Sequence, residues 1–509
     1  MNFKLPKIST KSLWWAGFLW YLATAFTNLG IIATDDYEFG IARFIPAQNW
    51  EFLKIIDASG NRSPFANLYL FLFAKAALIF GVADPALQLK VALLFSGAIN
   101  YAILSYVGLS WGGPLALFFI AFYFVCPMAY TRPLIESLSA PWVFLSAYFA
   151  YRYERLSMSR DILLSIFALM VAAMFRFQTG VCALALLLLV LHKKDIRGLG
   201  VLAVAGAVAF VLSGTIDLLY KGSLHYSLFA YTKYQAAEIS NFGKQPFYVF
   251  FGLFLLLSFP PALFHRYPNF SWKSAYRPLH APLLYFLIFL ISHSMITHKE
   301  ERFMIPILPI FFILLLPLVR ETYVSRPGGW RVKYFLGLNF LLLPFASFNS
   351  SQNNLIGTAR YVQSHAEIDS VVAVGETLFN FPKAFIARPL AESKVTAEAA
   401  AHTDLNCGGL LAVRQDIRAA YPEIERTFEK VAVFKPGVLE QIVIRLNPSK
   451  NFRRGPIEVY REKGCCRKSK ALPFPTPRSS PREHRARSCR AENSAWDSSE
   501  PVSIREVPA

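Results

Sequence analysis

What most constrains this chain is a series of long apolar runs, close to a dozen, separated by short loops that carry most of the charge. They fall at 13–33, 65–83, 87–109, 114–127, 133–151, 161–175, 177–192, 199–219, 246–264, 281–296, 303–319 and 334–348. A helix of about 20 apolar residues spans the ~30 Å hydrocarbon core of a bilayer, and helices satisfy their own backbone groups there. The chain is therefore expected to be an α-helical polytopic membrane protein. Its 54% hydrophobic and 17% charged residues fit that class. A net charge of +19 would point a soluble protein toward nucleic acid. Here Lys and Arg sit in loops between apolar runs and in the tail, so the expected partner is membrane lipid and no nucleic acid.

Charge sets the expected orientation. Lys4, Lys7 and Lys11 precede the first run and place the N-terminus in the cytoplasm, and the basic loops 152–160, 192–197, 265–277 and 320–333 belong on the same side. Counting crossings forward from the N-terminus puts 152–160 on the other side, so one run does not cross. The segment 114–127, short and closed by Cys126-Pro127, is expected to be that re-entrant element. About eleven transmembrane helices then remain within 1–349, and the chain beyond residue 349 is expected outside the cytoplasm.

Residues 350–460 change character and predict a small extramembrane α/β domain. Strands are expected at 370–374, 409–413, 431–434 and 441–445, with a helix over 415–430. No GxGxxG or P-loop supports nucleotide binding. The rest, 461–509, is rich in Arg, Ser and Pro and predicts a disordered basic tail. Cys126 and Cys182 read as buried thiols in apolar runs.

The polar residues that interrupt this pattern carry the chemistry. Ionisable groups at membrane depth cost about 2.5–3.5 kcal/mol each on the gentlest scale, and they mark function. The densest interruption is His298-Lys299-Glu300-Glu301-Arg302-Phe303 between two apolar runs. Asp35 and Asp36 leave the first run. Arg132 and Glu136 stand at i and i+4, the spacing of a helical ion pair. Phe175-Arg176-Phe177-Gln178-Thr179 places a lone Arg between runs, and Asp217 and Tyr220 close another run. Lys75 and Lys90, within apolar runs, are expected to snorkel to the nearest interface.

Several of these stretches resemble one family, the multi-spanning mannosyltransferases of glycosyltransferase family 22 in the GT-C superfamily, which build GPI anchors and N-glycan precursors. The hexapeptide at 298–303, followed by Pro306 and Pro309, is similar to its strongest signature. Phe175 to Thr179 resembles its Phe-Arg-x-x-Thr segment, Asp217 to Tyr220 its Asp-x-x-x-Tyr segment, and 241–247 its Tyr-Gly-x-x-Pro-Trp loop. The first loop departs from the pattern: the family's His-Pro-Asp-Glu is Ala33-Thr34-Asp35-Asp36 here.

The resemblance implies transfer of a hexose, mannose above all, from a polyprenyl (dolichyl-type) phosphate donor to a lipid-linked or glycan acceptor on the non-cytoplasmic face, with inversion. A phosphate leaving group departs more easily beside positive charge, a role for His298, Lys299, Arg302 and Arg176. The acceptor hydroxyl must lose its proton to a carboxylate, the role of Asp35 with Asp36 beside it. Glu300, Glu301, Asp217, Tyr220 and Arg132 are then expected to contact substrate. No organic cofactor is implied. The acidic pair could hold a divalent metal ion, although no dedicated ligand set is visible. The membrane is either the bacterial cytoplasmic membrane, with an extracytoplasmic site, or the endoplasmic reticulum, with a luminal one. The competing expectation is a transporter or flippase that moves lipid or sugar without cleaving it. Such proteins place charge within broken helices at mid-membrane, whereas these charges sit at the ends of runs.

Overall fold

The structure is a computed structural model that describes residues 9–30, 62–238, 244–258, 270–325, 329–379, 381–447 and 454–464. It divides into two compact units, Met1–Ser351 with Pro382–Ala387, and Gln352–Phe381 with Arg388–Ala509.

The first unit is helical. Its helices are α1 (Thr10–Thr27), α2 (Phe65–Ile79), α3 (Pro85–Phe122), α4 (Val125–Tyr130), α5 (Ile135–Leu156), α6 (Ser159–Phe175) and α7 (Cys182–His192). They continue with α8 (Ile196–Lys221), α9 (Tyr226–Glu238), α10 (Val249–Leu257), α11 (Trp272–Tyr276), α12 (His280–Met295), α13 (Leu308–Ser325) and α14 (Trp330–Phe348). Among the described residues, four helical stretches are long and apolar enough to cross a membrane: Pro85–Phe122, Ile196–Leu219, Trp272–Met295 and Glu301–Thr322. Helix starts follow local chemistry. Asp84 caps α3 by accepting from the Leu87 N–H at 2.8 Å, with Pro85 in the first turn. Asp195 caps α8 through the Gly198 N–H at 2.8 Å, and that helix ends on Gly222 at φ +74°. In the core, the hydroxyls of Ser146, Ser165 and Tyr285 join α5, α6 and α12 at 2.9–3.1 Å.

Loop contacts define the two ends of the bundle. At one, the Lys193 ammonium donates to the Tyr153 and Glu154 carbonyls at 3.2 and 2.7 Å, and Glu154 accepts from the Ala281 N–H at 3.0 Å. The basic loops 152–160 and 192–197 thus meet the start of α12. At the other end, the turns that follow α1, α4, α6 and α12 come together.

This geometry corrects the expected re-entrant segment. Helix α3 breaks at Gly113 (φ +70°, ψ −158°) before Pro114. The Gly112 carbonyl there accepts from Arg320, far along α13 from Phe303, at 2.7 Å. From that level, 114–130 travels to the opposite end, where Arg132 meets Asn28 and Gly30. It therefore runs from end to end in two pieces. The element that begins and ends without traversing the bundle is α2. Phe65 packs on Phe175 at 4.8 Å, and α3 then starts back at the same end, with Lys90 at 4.6 Å over Phe26 in the last turn of α1. At 1.5 Å per residue α2 reaches only about 22 Å, short of a ~30 Å core. Lys75 and Lys90 are both covered by protein, Lys75 at 5.4 Å over Phe71.

A break inside a bundle leaves backbone groups that need partners. The break at Tyr123 is answered by Asn339, 1% exposed, which donates to the Phe122 carbonyl at 2.7 Å and accepts from the Phe124 N–H at 2.9 Å. Asn339→Leu removes both bonds while keeping the branched outline of the side chain. The expected loss is about 1–3 kcal/mol, read as a lowered unfolding temperature in detergent; an unchanged temperature would mean the break is satisfied otherwise.

The second unit carries α15 (Asn353–Ser364), β1 (Ser370–Val374), β2 (Ala391–Val395), β3 (Gly409–Arg414), α16 (Gln415–Ala420), α17 (Glu423–Thr427), β4 (Phe428–Phe434), α18 (Val438–Leu446) and β5 (Ile457–Glu462). The sheet order is β2-β1-β3-β5-β4, with β2, β1 and β3 parallel and β5 antiparallel to both its neighbours. β3 is buried along its whole length, which its unbroken apolar run requires in the middle of a covered sheet. Two expectations change here. Residues 415–430 form two short helices and the start of β4 rather than one helix. Residues 441–445 are helical within α18, whose apolar positions 438, 439, 442, 443 and 446 recur at helical spacing and whose Glu440 accepts from the Gly437 N–H at 3.3 Å.

Candidate active site

The end of the bundle opposite the basic loops gathers most of the polar motifs. Arg176 ends α6 and opens a 3₁₀ turn, Phe177–Val181, its carbonyl accepting from the Thr179 hydroxyl at 2.8 Å. Its guanidinium is buried, 3.3 Å from Glu136 and donating to the Phe303 carbonyl at 3.4 Å and to Gln178 at 3.3 Å. It lies 5.0 Å over the Phe303 ring, and Arg302 stands 5.5 Å from the same ring. Two signatures more than a hundred residues apart are thus joined around one aromatic residue.

The charged hexapeptide divides its labour. Glu300 receives a two-pronged bond from Arg302 at 2.7 and 3.0 Å, and His298 sits 2.9 Å from the same carboxylate. Lys299 is 3% exposed and donates to the Gln245 carbonyl at 3.1 Å and to that of Ile296. Burial holds its ammonium below the usual lysine range. The Gln245 N–H returns a bond to Thr297 at 3.0 Å, so the 244–247 loop is laced to the hexapeptide. Glu301 is exposed at the start of the next 3₁₀ turn, Glu301–Ile307.

Arg132 and Glu136 do not pair with each other. Arg132, 1% exposed, donates to the Asn28 carbonyl, to Asn28 Oδ1 at 3.0 Å and to the Gly30 carbonyl at 3.3 Å. Asn28 in turn donates to the Ser347 and Asn349 carbonyls at 2.9 and 3.1 Å. The exit of α1 is therefore fixed to α14 and to the α4–α5 turn, a few residues before the acidic pair. Asp35 and Asp36 themselves lie outside the described residues, as does the side chain of Tyr220. Asp217 is 6% exposed and holds the Ser227 N–H and hydroxyl at 2.8 and 2.7 Å, joining α8 to α9. Among the described residues no three His, Cys, Asp or Glu side chains form a metal-holding group.

Sequence reasoning passed over two residues here, Arg62 and Tyr231. Arg62 lies 6.0 Å over the Tyr231 ring, and Gln178 donates its amide to the Tyr231 hydroxyl. Burial raises the Tyr231 phenol above its usual range, with Arg62 and Arg176 pulling the other way.

This architecture is shared with a known class. ArnT from Cupriavidus metallidurans bound to undecaprenyl phosphate superimposes with a TM-score of 0.53 at 11% identity, over 89% of this chain and 98% of that one. The apo form of ArnT gives 0.52 at 10% identity with the same coverage. The chain thus has the GT-C glycosyltransferase fold of an integral membrane protein. A family model then makes the assignment specific: the Alg9-like mannosyltransferase family matches residues 70–386, and the chain belongs to that family. No curated protein matches the sequence.

Proposed function

We propose that the protein transfers a hexose, mannose first among them, from a polyprenyl phosphate to a lipid-linked or glycan acceptor on the non-cytoplasmic face, inverting the anomeric carbon. Family membership supports the sugar, and the undecaprenyl phosphate named for ArnT supports the donor class. The observation that carries the reading is the meeting of Arg176 and Arg302 about Phe303, at the end of the bundle where Arg132 fixes the root of the loop bearing Asp35.

In this scheme the acceptor oxygen attacks the anomeric carbon and passes its proton to Asp35. The bond from that carbon to the phosphate oxygen breaks, leaving its electron pair on the polyprenyl phosphate. Arg176 and Arg302 stabilise that anion without moving, because Glu136 and Glu300 already orient them. Lys299 serves mainly to hold the 245 loop in place.

The test uses protein in nanodiscs, polyprenyl phosphate carrying radiolabelled mannose, and a membrane lipid extract as acceptor. Expected are sugar-free polyprenyl phosphate and label in a new glycolipid or glycan. Donor recovered intact on the far side of the bilayer would instead establish transport.

A further inference from the structure

Helix α18 reverses the usual order of an amphipathic helix. In α15 of the same unit, Leu355, Ile356, Ala359 and Val362 are buried and Arg360 faces solvent. In α18 the buried residue is the acid Glu440, 4% exposed. Its carboxylate accepts from the Gln352 N–H at 2.8 Å and the Gly437 N–H at 3.3 Å, and it lies 3.8 Å from Arg454. The opposite side of the helix is apolar. Val438, Ile442 and Leu446 recur at i, i+4 and i+8, and with Val443 beside them they are between 41% and 80% exposed. An apolar stripe of this kind on the outside of a folded unit marks an interaction surface.

Charge says what covers it. Between 435 and 454 the sequence holds Lys435, Arg445, Lys450, Arg453 and Arg454 against a single acid, Glu440. That acid is turned inward, while Lys435 and Arg445 are exposed at the borders of the stripe. Aliphatic side chains edged by cations complement an anionic lipid surface, acyl chains for the former and phosphates for the latter. Such a surface is at hand, because the chain has the fold of a membrane protein and only residues 349–352 separate α14 from α15. With nine residues, α18 is about 13 Å long, too short to cross a bilayer and suited to lying along one.

We infer that α18 is an interfacial membrane anchor of the second unit, with Val438, Ile442, Val443 and Leu446 among the upper acyl chains and Lys435 and Arg445 at the head groups of anionic lipid. The inference is independent of the sugar, the donor and the acceptor. It gives the α/β unit a task in sequence outside the region of the polar motifs: to bind the lipid surface directly rather than through the helical bundle.

The test uses full-length protein in nanodiscs that carry a trace of phospholipid with a photoactivatable diazirine on its acyl chain, and maps the cross-links by mass spectrometry. Label is expected on 438–446, and also on α12, whose Leu287 and Ile291 are exposed on the bundle and serve as the internal reference. Ile442→Gln combined with Leu446→Gln keeps good helix formers in place. It should lower the label on 438–446 by about tenfold or more, the scale of withdrawing two aliphatic side chains from an apolar medium, and leave α12 unchanged. Lys435→Gln combined with Arg445→Gln should lower it several-fold in discs containing phosphatidylglycerol and little in discs of phosphatidylcholine alone. No label on 438–446 while α12 is labelled would overturn the anchor, and so would label indifferent to the Ile442 and Leu446 substitutions. An equal effect of the charge substitutions in both lipids would remove anionic lipid from the account. Wild-type protein that elutes as a dimer, and as a monomer once Ile442 and Leu446 are replaced, would assign the face to a second copy of the chain and overturn the anchor as well.

Discussion

Asp35→Asn is expected to lower kcat by about a hundred- to ten-thousandfold, the range of a positioned general base, with the donor KM little changed. Asparagine keeps the size of the carboxylate and one of its acceptor oxygens but cannot take a proton at neutral pH. Asp36→Asn should act more mildly, because Asp36 touches the reaction through the proton affinity of its neighbour. The readout is transfer of labelled mannose by variants whose elution and unfolding temperature match wild type. Asp35→Asn protein that transfers sugar at the wild-type rate would remove Asp35 from the mechanism.

Glu136→Leu is expected to cost about 3–5 kcal/mol, since it leaves the Arg176 guanidinium buried without its anion. The side chains are 1% and 3% exposed at Arg176 and Glu136, so water does little to compensate the loss. Glu136→Leu with Arg176→Leu should recover much of that stability, because the uncompensated charge goes with the partner. It should not recover transfer, because Arg176 is assigned to the leaving phosphate. Unfolding temperatures in detergent and the transfer assay separate the two effects. A single variant as stable as wild type would mean that Arg176 is satisfied by Phe303 and Gln178 alone.

The hydrophobic runs and the signature stretches were legible because lipid and phosphate chemistry act on local sequence. An apolar run needs no partner to be recognised, and a charged hexapeptide inside such runs stands out. What could not be read locally was partnership. Arg132 and Glu136 suggested a pair on one helix, but Pro133 delays the start of α5 to Ile135, so Arg132 is not on that helix at all. Each residue then answers burial with a partner distant in sequence, Asn28 for one and Arg176 for the other. Arg62 gave no signal because it precedes α2 as an ordinary loop cation. Tyr231 looked like one aromatic residue among many, and its place beside Arg62 and Gln178 depends on how α8 turns into α9. The same holds for 114–127: its shortness suggested a re-entrant segment, yet Asn339 and Arg320 satisfy its broken backbone and let it run the length of the bundle.

All of this depends on the acidic loop after α1 and the cationic turn before α13 facing one pocket. Spin labels placed at Thr34 and Glu301 of nanodisc-embedded protein, read by pulsed dipolar spectroscopy, measure that separation directly. A short, narrow distance distribution that shifts when undecaprenyl phosphate is added is the predicted result. A separation as large as the bilayer core, ~30 Å or more, with no response to the lipid, would contradict it.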